Sequence, residues 1–497
     1  MKNEEIGEII VKARKAQKIW AASSLGERSR CLKKAGTYLA SKAEEIVRII
    51  HEDTGKLPLD ALAAEVLPAI MALSYYCKKF KRFLASQSVG GGSLLMFNKK
   101  SRLCCEPYGV IGIISPWNYP FSIPFSEVVM ALLAGNAVLL KTASLTANVG
   151  RALETIFKAA DLPQDLFTYI EMPGAEAGSA FIGTGNNGVD KLFFTGSTTT
   201  GKKLMALAAR DLKPLVLELG GADSAIIRED ADIDRSAAGM VWAGFSNAGQ
   251  SCGGVQKILV HQNIYDAFLE KFCTLVKELR EGIDLGKMAT LKQKQLLSRQ
   301  VEKCLKQGAV VAAKSEGAFL QNEETLSAPA IVLTGIKETM PIMTEELFGP
   351  VVGIIRVKDD EEALRIANSS SYALTGSVWT KNRRKGKALA VRVNAGAVMV
   401  NDHLMSHGLA ETPWGGFGDS GIGRTHGELG FREMVKIKVI VNDILPGVKR
   451  NLFWQPYSEK VYAGIFALVE LLSGTFVKRM AALPKVTGIF FRYWSRR

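Results

Sequence analysis

Cysteine is scarce in this chain: seven in 497 residues, at positions 31, 77, 104, 105, 252, 273 and 304. So few, so irregularly spaced, exclude a disulfide framework. No C-x-x-C pair and no H-E-x-x-H stretch occurs, and the five histidines are dispersed, so no metal site is expected. The opening "MKNEEIGEIIVKARKAQKIW" is amphipathic and lacks the apolar core of a secretory signal, which predicts a reduced, cytoplasmic protein. No repeat with a period of roughly 20 to 50 residues is visible. What is present is ordinary globular material, 47% hydrophobic and 23% charged. The length predicts about two to four domains.

Acidic charge is short by comparison with basic. The formal net charge is +14, and +7 of it lies in residues 449–497, which hold nine basic and two acidic side chains. A uniformly basic surface would indicate nucleic acid. Basic charge gathered in one tail and mixed with aromatics indicates a membrane surface instead, with no nucleic-acid partner.

Residues 1–88 carry apolar positions at helical spacing, with a stop near Gly55. "VGGGS" (89–93) breaks that pattern, and strand-like sequence follows. From Val110 to Arg210 the chain alternates: "VIGIIS", "SIPFSEVVMALLAG", "AVLLKTA", "ANVGRALETIFKAA" and "VDKLFFTGSTTTGKKLMALAA". Strand–helix alternation of this kind builds a doubly wound parallel sheet, which binds ligands at the carboxyl ends of its strands. A second alternating region runs from about 221 to 433, and "FREMVKIKVIVND" (431–443) reads as a late strand.

Four segments carry chemistry. "FFTGSTTTGKKL" sets Gly196, Ser197 and Gly201 between a strand and a helix, where free amides can hold a phosphate; an ordinary strand-to-helix turn fits equally. "ISPWNYPF" fixes Asn118 between two prolines, as an oxyanion donor or as an amide satisfying its own turn. "LVLELGG" sets Glu218 in an apolar run, where burial would raise its pKa toward that of a general base; the alternative is a solvated strand end. "FSNAGQSCGG" sets Cys252 among small residues, as a nucleophile or as buried filler.

Taken in order with "EELFGP" (345–350) and "PWGGFGDSGIGR" (413–424), these segments resemble the aldehyde dehydrogenase superfamily over residues 1–443. The resemblance implies an α/β, aldehyde dehydrogenase-like fold of two doubly wound domains with a β-hairpin oligomerisation arm; past the family core the chain is expected to add a C-terminal helical tail. It implies an NAD(P)-binding domain at 1–88 and 108–220 and a catalytic domain at 221–432. The arm would be 89–107 with 433–443, and the apolar basic tail 444–497. It further implies NAD or NADP as cofactor, an aldehyde as substrate, and a homodimer or homotetramer. By resemblance, Cys252 is the nucleophile that forms a thiohemiacetal and then a thioester, Asn118 and the Cys252 amide hold the oxyanion, and Glu218 activates water. Trp117, Lys141, Ser144, Gly196, Ser197, Gly201, Glu346 and Phe348 are implied as cofactor contacts.

The chain departs from the family pattern in three places. Ser144 stands where a ribose-binding Glu is common, which leaves NAD and NADP both open. Asp419 replaces a common Lys, a change that touches packing more than chemistry. Gly253 and Gly254 follow the cysteine where larger residues are usual, which implies a widened site. "VYAGIFALVELLSGTFV" (461–477), with flanking Lys460, Lys478 and Arg479, is at the short limit of a membrane span and suits peripheral membrane attachment; a helix packed on the enzyme is the alternative. "GIFFRYWSRR" (488–497) adds aromatics and arginines of the kind found at membrane boundaries. Some members of the family it resembles that oxidise long-chain, fatty or carotenoid aldehydes are membrane-associated, so with that tail the resemblance implies an apolar or long-chain aldehyde. The rival readings are a CoA-acylating relative and a non-catalytic binding protein on the same fold; Glu218 argues against the first, and Cys252 together with Glu218 against the second.

Overall fold

The computed structural model describes residues 3–90, 96–317, 320, 322, 324–445 and 447–493. Part of the "VGGGS" break and the last four residues of the tail lie outside them. Two compact units are present, one of residues 1–85 and 105–436, the other of 86–104 and 437–497.

The first unit contains two sheets built from short apolar runs. Val110–Ile114, Ala137–Lys141 and Asp223–Ile227 are buried along their whole length, as strands covered on both faces must be. One sheet has six strands in the order Gly421–Ile422, Leu215–Glu218, Lys191–Thr195, Val110–Ile114, Ala137–Lys141, Phe167–Tyr169. All its pairings are parallel except that of Gly421–Ile422 with Leu215–Glu218. The other has seven, in the order Val310–Lys314, Ile331–Thr334, Val351–Val357, Val255–His261, Asp223–Ile227, Thr375–Trp379, Ala397–Val400. There only Val310–Lys314 is antiparallel to its neighbour. The Gly421–Ile422 strand comes from the 221–432 stretch yet completes the sheet of the earlier stretch.

Helices pack on these sheets. Ser122–Ala134 is mostly apolar, with Ser122, Ser126 and Glu127 as its polar residues; all thirteen of its residues are buried, and Gly135 ends it in the left-handed region at φ 95°. Gly55 ends Ala43–Thr54 in the same way, where the sequence places a stop. The late strand begins at Val435; the residues before it form the short helix Gly427–Arg432.

Register aligns the candidate residues. Ile114 pairs with Lys141 and Thr195 with Glu218, so the carboxyl ends of four neighbouring strands lie level. The second sheet contributes the opposite ends of its strands. Cys252 precedes Val255–His261, and Glu346 and Phe348 precede Val351–Val357. The carboxyl-end rule therefore describes only half of the site.

In the second unit, Gln87–Val89, Lys99–Pro107 and Val435–Asp443 form a three-stranded sheet with Lys99–Pro107 in the middle. The tail folds as a helical hairpin of Glu459–Ser473 and Phe476–Phe490 around Leu452, Ala467, Leu468, Ala482, Val486, Ile489 and Tyr493. It packs on the arm: Tyr493 meets the Phe97 ring edge-on at 5.6 Å, and its carbonyl accepts the Lys449 N–H at 2.8 Å. The expected single apolar stretch at 461–477 is interrupted, because Gly474 ends the first helix. Fifteen helical residues reach about 22 Å, short of the ~30 Å hydrocarbon core, so the hairpin helices do not span a bilayer. Pro58–Leu84 is long and apolar enough to span. Its Ala69, Leu73, Tyr76, Phe80 and Phe83 belong to the main core instead.

Leu133 is fully buried in the Ser122–Ala134 helix. Leu133→Ala is expected to cost about 2–5 kcal/mol, read as a lowered urea midpoint with activity retained below it.

Candidate active site

Cys252 sits on a loop that holds an unfavourable backbone. Asn247, Ala248 and Gly249 all lie in the left-handed region, at φ 53°, 53° and 67°. Two non-glycine residues there need compensation. The buried Asn247 side chain supplies it by donating to the carbonyls of Asn118 (3.0 Å) and Gln250 (3.1 Å). Gln250 donates back to the Asn247 carbonyl (3.0 Å) and accepts the Ala289 N–H (2.8 Å). Gly249 is pressed on the Gly349 backbone, so that a Cβ would overlap it.

The Asn118 loop is tied to this one. Asn118 Nδ2 donates to the Gln250 carbonyl at 3.1 Å. Its own carbonyl accepts from Lys56 Nζ at 2.9 Å. Lys56 is ion-paired with Glu65, and both side chains are fully buried. Glu65 in turn accepts the N–H groups of Phe121 (2.7 Å) and Ser122 (3.2 Å), which open the Ser122–Ala134 helix. Burial pushes the Lys56 amine down, and Glu65 opposes that shift.

Glu218 ends its strand with both carboxylate oxygens buried and without a hydrogen-bond partner. Burial first, and the charge of Glu127 second, push it well above the usual carboxylate range; Arg424 opposes them. Glu127 is itself pushed up to about 8 by burial. Both glutamates line one narrow cavity with Cys252. Ile123, Trp414, His407 and His426 also line it. His407 packs edge-on against Trp414 at 4.8 Å and lies 4.9 Å from His426. Burial pushes the two histidines down to about 4 and about 3, so both are neutral at pH 7.

The thiol is not surrounded by cations. Burial pushes the Cys252 thiol far up, and Glu346, Glu218 and Asp223 push the same way. Gly253 does not widen the site. A Cβ there would lie 2.8 Å from the Trp414 ring and 3.0 Å from the Thr375 methyl, so Trp414 occupies the space the glycine leaves. The Gly253 carbonyl accepts from Thr375 Oγ1 at 3.2 Å and lies 3.1 Å from His403 Nε2. A Cβ on Gly254 would meet the Ala243 and Ser251 carbonyls at 3.3 Å.

The remaining candidates fall in two groups. Trp117 and Phe348 meet edge-on at 5.4 Å, and Glu346 accepts the Gly221 N–H at 3.1 Å close behind Cys252. Burial pushes Glu346 up to about 7. Gly196 donates to the Glu218 carbonyl at 3.0 Å. Ser197 caps the Thr198–Ala209 helix by accepting the Thr200 N–H. Gly201 is different: its N–H is spent on the Ser197 carbonyl, and a Cβ would lie 2.6 Å from Leu219. It serves close helix–strand packing rather than ligand contact. Lys141 is buried at its strand end, and burial pushes its amine down. Ser144 is exposed three residues on, in a 3₁₀ turn. Asp419 pairs with Lys202 of the Thr198–Ala209 helix at 2.7 Å.

Sequence reasoning missed Lys56, Glu65, Glu127, Asn247, Gln250 and the histidines. Asn247 and Gln250 stood inside the "FSNAGQSCGG" segment, and two amides flanking glycines were a usable signal. Lys56→Met would leave Glu65 buried and unpaired, at a cost of about 3–5 kcal/mol in chemical denaturation. The double variant Lys56→Met/Glu65→Gln should recover a large part of it. Equal losses in both would contradict the role given to the pair.

A sequence model of the aldehyde dehydrogenase family matches residues 1–440. A 4,4'-diapolycopene aldehyde oxidase from Methylomonas sp is 31% identical over 477 residues, covering 94% of this chain and 86% of that protein. The crystal structure of an NAD-dependent aldehyde dehydrogenase from Sinorhizobium meliloti superposes with a TM-score of 0.84 at 29% identity, over 92% of this chain and 89% of that one. That of an E. coli NADP dependent enzyme gives 0.83 at 25% identity, over 89% and 91%. With a half-buried thiol and a partnerless buried carboxylate facing one cavity at the meeting of two doubly wound sheets, the chain belongs to the aldehyde dehydrogenase family and is an NAD(P)-dependent aldehyde dehydrogenase.

Proposed function

We propose that the chain oxidises an uncharged, apolar aldehyde to its carboxylic acid through covalent catalysis on Cys252. The observation that carries this reading is the cavity shared by Cys252 and Glu218, whose other lining side chains include no cation and, besides the carboxyl of Glu127, are uncharged at neutral pH. Neutral histidines, Trp414 and Ile123 offer no cation to a substrate carboxylate. The relative named for 4,4'-diapolycopene aldehyde supports an apolar substrate.

In this reading Cys252 starts as a thiol. Glu218 takes its proton as the sulfur adds to the carbonyl carbon, and the thiohemiacetal oxyanion is held by Asn118 Nδ2 and the Cys252 N–H. Once Glu218 has released that proton to solvent, it takes a second from the water that hydrolyses the thioester, and the Cys252 thiol leaves with a proton as the acid forms. Residues 1–88 and 108–220 would bind the cofactor, and 221–432 the substrate. Lys141, Trp117, Glu346, Phe348, Ser197 and the first amides of the Thr198–Ala209 helix would hold the nucleotide. A buried amine at one end of this set and an aromatic pair at the other fit it. Bound NAD(P)+ supplies the acceptor for the two electrons removed from the substrate. Ser144 presents no carboxylate to a 2′-phosphate, so both cofactors are accommodated.

We further propose that the arm sheet joins copies into a dimer or tetramer and that the tail attaches the enzyme peripherally to a membrane. Val435–Asp443 is an edge strand with Ile437, Val439, Ile440 and Val441 exposed, a template for pairing.

Cys252→Ala should abolish aldehyde-dependent reduction of NAD(P)+ while cofactor binding, followed by fluorescence, stays unchanged; retained turnover would remove the mechanism. Glu218→Gln should lower kcat by about 10²–10⁴, and the acid should form without CoA. An absolute need for CoA would overturn the hydrolytic role. Because the fold favours the neutral form of Glu218, the base form appears only as pH rises through its raised value, so kcat climbs across the neutral and alkaline range. Glu127→Gln removes a neighbouring charge that ionises near pH 8, and should move the midpoint of that climb to lower pH. A pH–kcat profile identical to wild type would separate Glu127 from the base.

A further inference from the structure

The tail hairpin has a dry inside and an apolar outside. On Glu459–Ser473, Tyr462 (73% exposed), Phe466 and Val469 follow one helical stripe, with the Tyr462 and Phe466 rings stacked. On Phe476–Phe490, Phe476 (79%), Met480 and Leu483 form a second stripe, beside Val477 (75%). Phe491 is exposed at the far end (74%). Single exposed apolar residues are normal on a surface; so many on two short helices mark an interaction site.

Charge selects the partner. Between 459 and 493 five cations (Lys460, Lys478, Arg479, Lys485, Arg492) face two acids (Glu459, Glu470). Two such hairpins carry like charge and would repel. At the open end the helices enclose a cavity of about 420 Å³. Lys460, Lys485 and Arg492 rim it, over Val461, Gly464 and Ile489. The Arg492 Nε–H is buried there without a hydrogen-bond partner, although the same guanidinium donates to the Trp454 and Pro456 carbonyls.

We infer that the hairpin is an in-plane docking surface for an anionic phospholipid bilayer. Its apolar stripes enter the headgroup–acyl boundary, and the Lys460–Lys485–Arg492 end takes a lipid phosphate. Helices too short to span, apolar outward and rimmed by cations, suit this position. The inference deepens the membrane attachment proposed above and rests on it; the enzymatic reading is independent.

The full-length enzyme is tested by sedimentation with phosphatidylcholine vesicles, with and without phosphatidylglycerol, while aldehyde oxidation is assayed in solution. Binding is expected only with phosphatidylglycerol, and should weaken with added salt. Lys460→Gln/Lys485→Gln/Arg492→Gln should weaken it by about fivefold per cation removed. Phe476→Ser/Val477→Ser alters only exposed side chains and should weaken it as well. Equal binding to both vesicle types, or none, would overturn the inference. So would a hairpin variant that changes the solution mass but not the vesicle partition, since a second copy would then cover this face. Unchanged soluble activity in all variants separates failure of the lipid surface from failure of the enzyme.

Discussion

The buried Lys56–Glu65 pair is the constraint on which the site depends. Neither side chain reaches water, yet each spends its charge on loop backbone: Lys56 on the Asn118 carbonyl, Glu65 on the amides of Phe121 and Ser122. A buried ion pair is weak evidence for net stability, because desolvation offsets most of its attraction. Its contribution here is geometric. The Asn118 carbonyl it fixes also accepts from Asn247, which compensates the left-handed turn before Cys252. One ion pair thereby sets the Asn118 and Cys252 loops in a single frame.

Electrostatics sharpen the chemistry. Reactive cysteines usually sit in positive surroundings. Cys252 is surrounded by Glu346, Glu218 and Asp223, and all of them favour the thiol. The same burial and crowding that silence the sulfur raise Glu218 into a range where it can take a proton. Two handicaps, an unionised nucleophile and a carboxylate without partners, are complementary when the two groups share a cavity. The neutral histidines and Trp414 then keep further charge out of that cavity.

Much of this was legible in the sequence because parallel strands covered on both faces read as continuous apolar runs. Asn118, Lys141, Gly196 and Glu218 follow or end such runs, so their level placement is a consequence of sheet register. Residues acting through distant partners were not legible. Lys56 and Glu65 look like an ordinary surface pair in a helical segment, and nothing local shows that the Asn118 loop closes over them. His407 and His426 are scattered in sequence and gathered only by the fold. Gly253 suggested an open site because the sequence shows the missing side chain and not Trp414, which fills its place. The tail read as one apolar stretch because a single Gly474 weighs little in composition, although it turns the chain into a hairpin.

The central claim is that Glu218 takes the Cys252 proton as the sulfur attacks, a role that outweighs the upward push of its charge on the thiol. Alkylation by iodoacetamide, followed at Cys252 by peptide mass spectrometry across pH, tests it directly. The account predicts slow modification at neutral pH, a rate that climbs with the titration of Glu218, and a marked slowing in Glu218→Gln. Rapid modification below neutral pH, indifferent to that substitution, would contradict it.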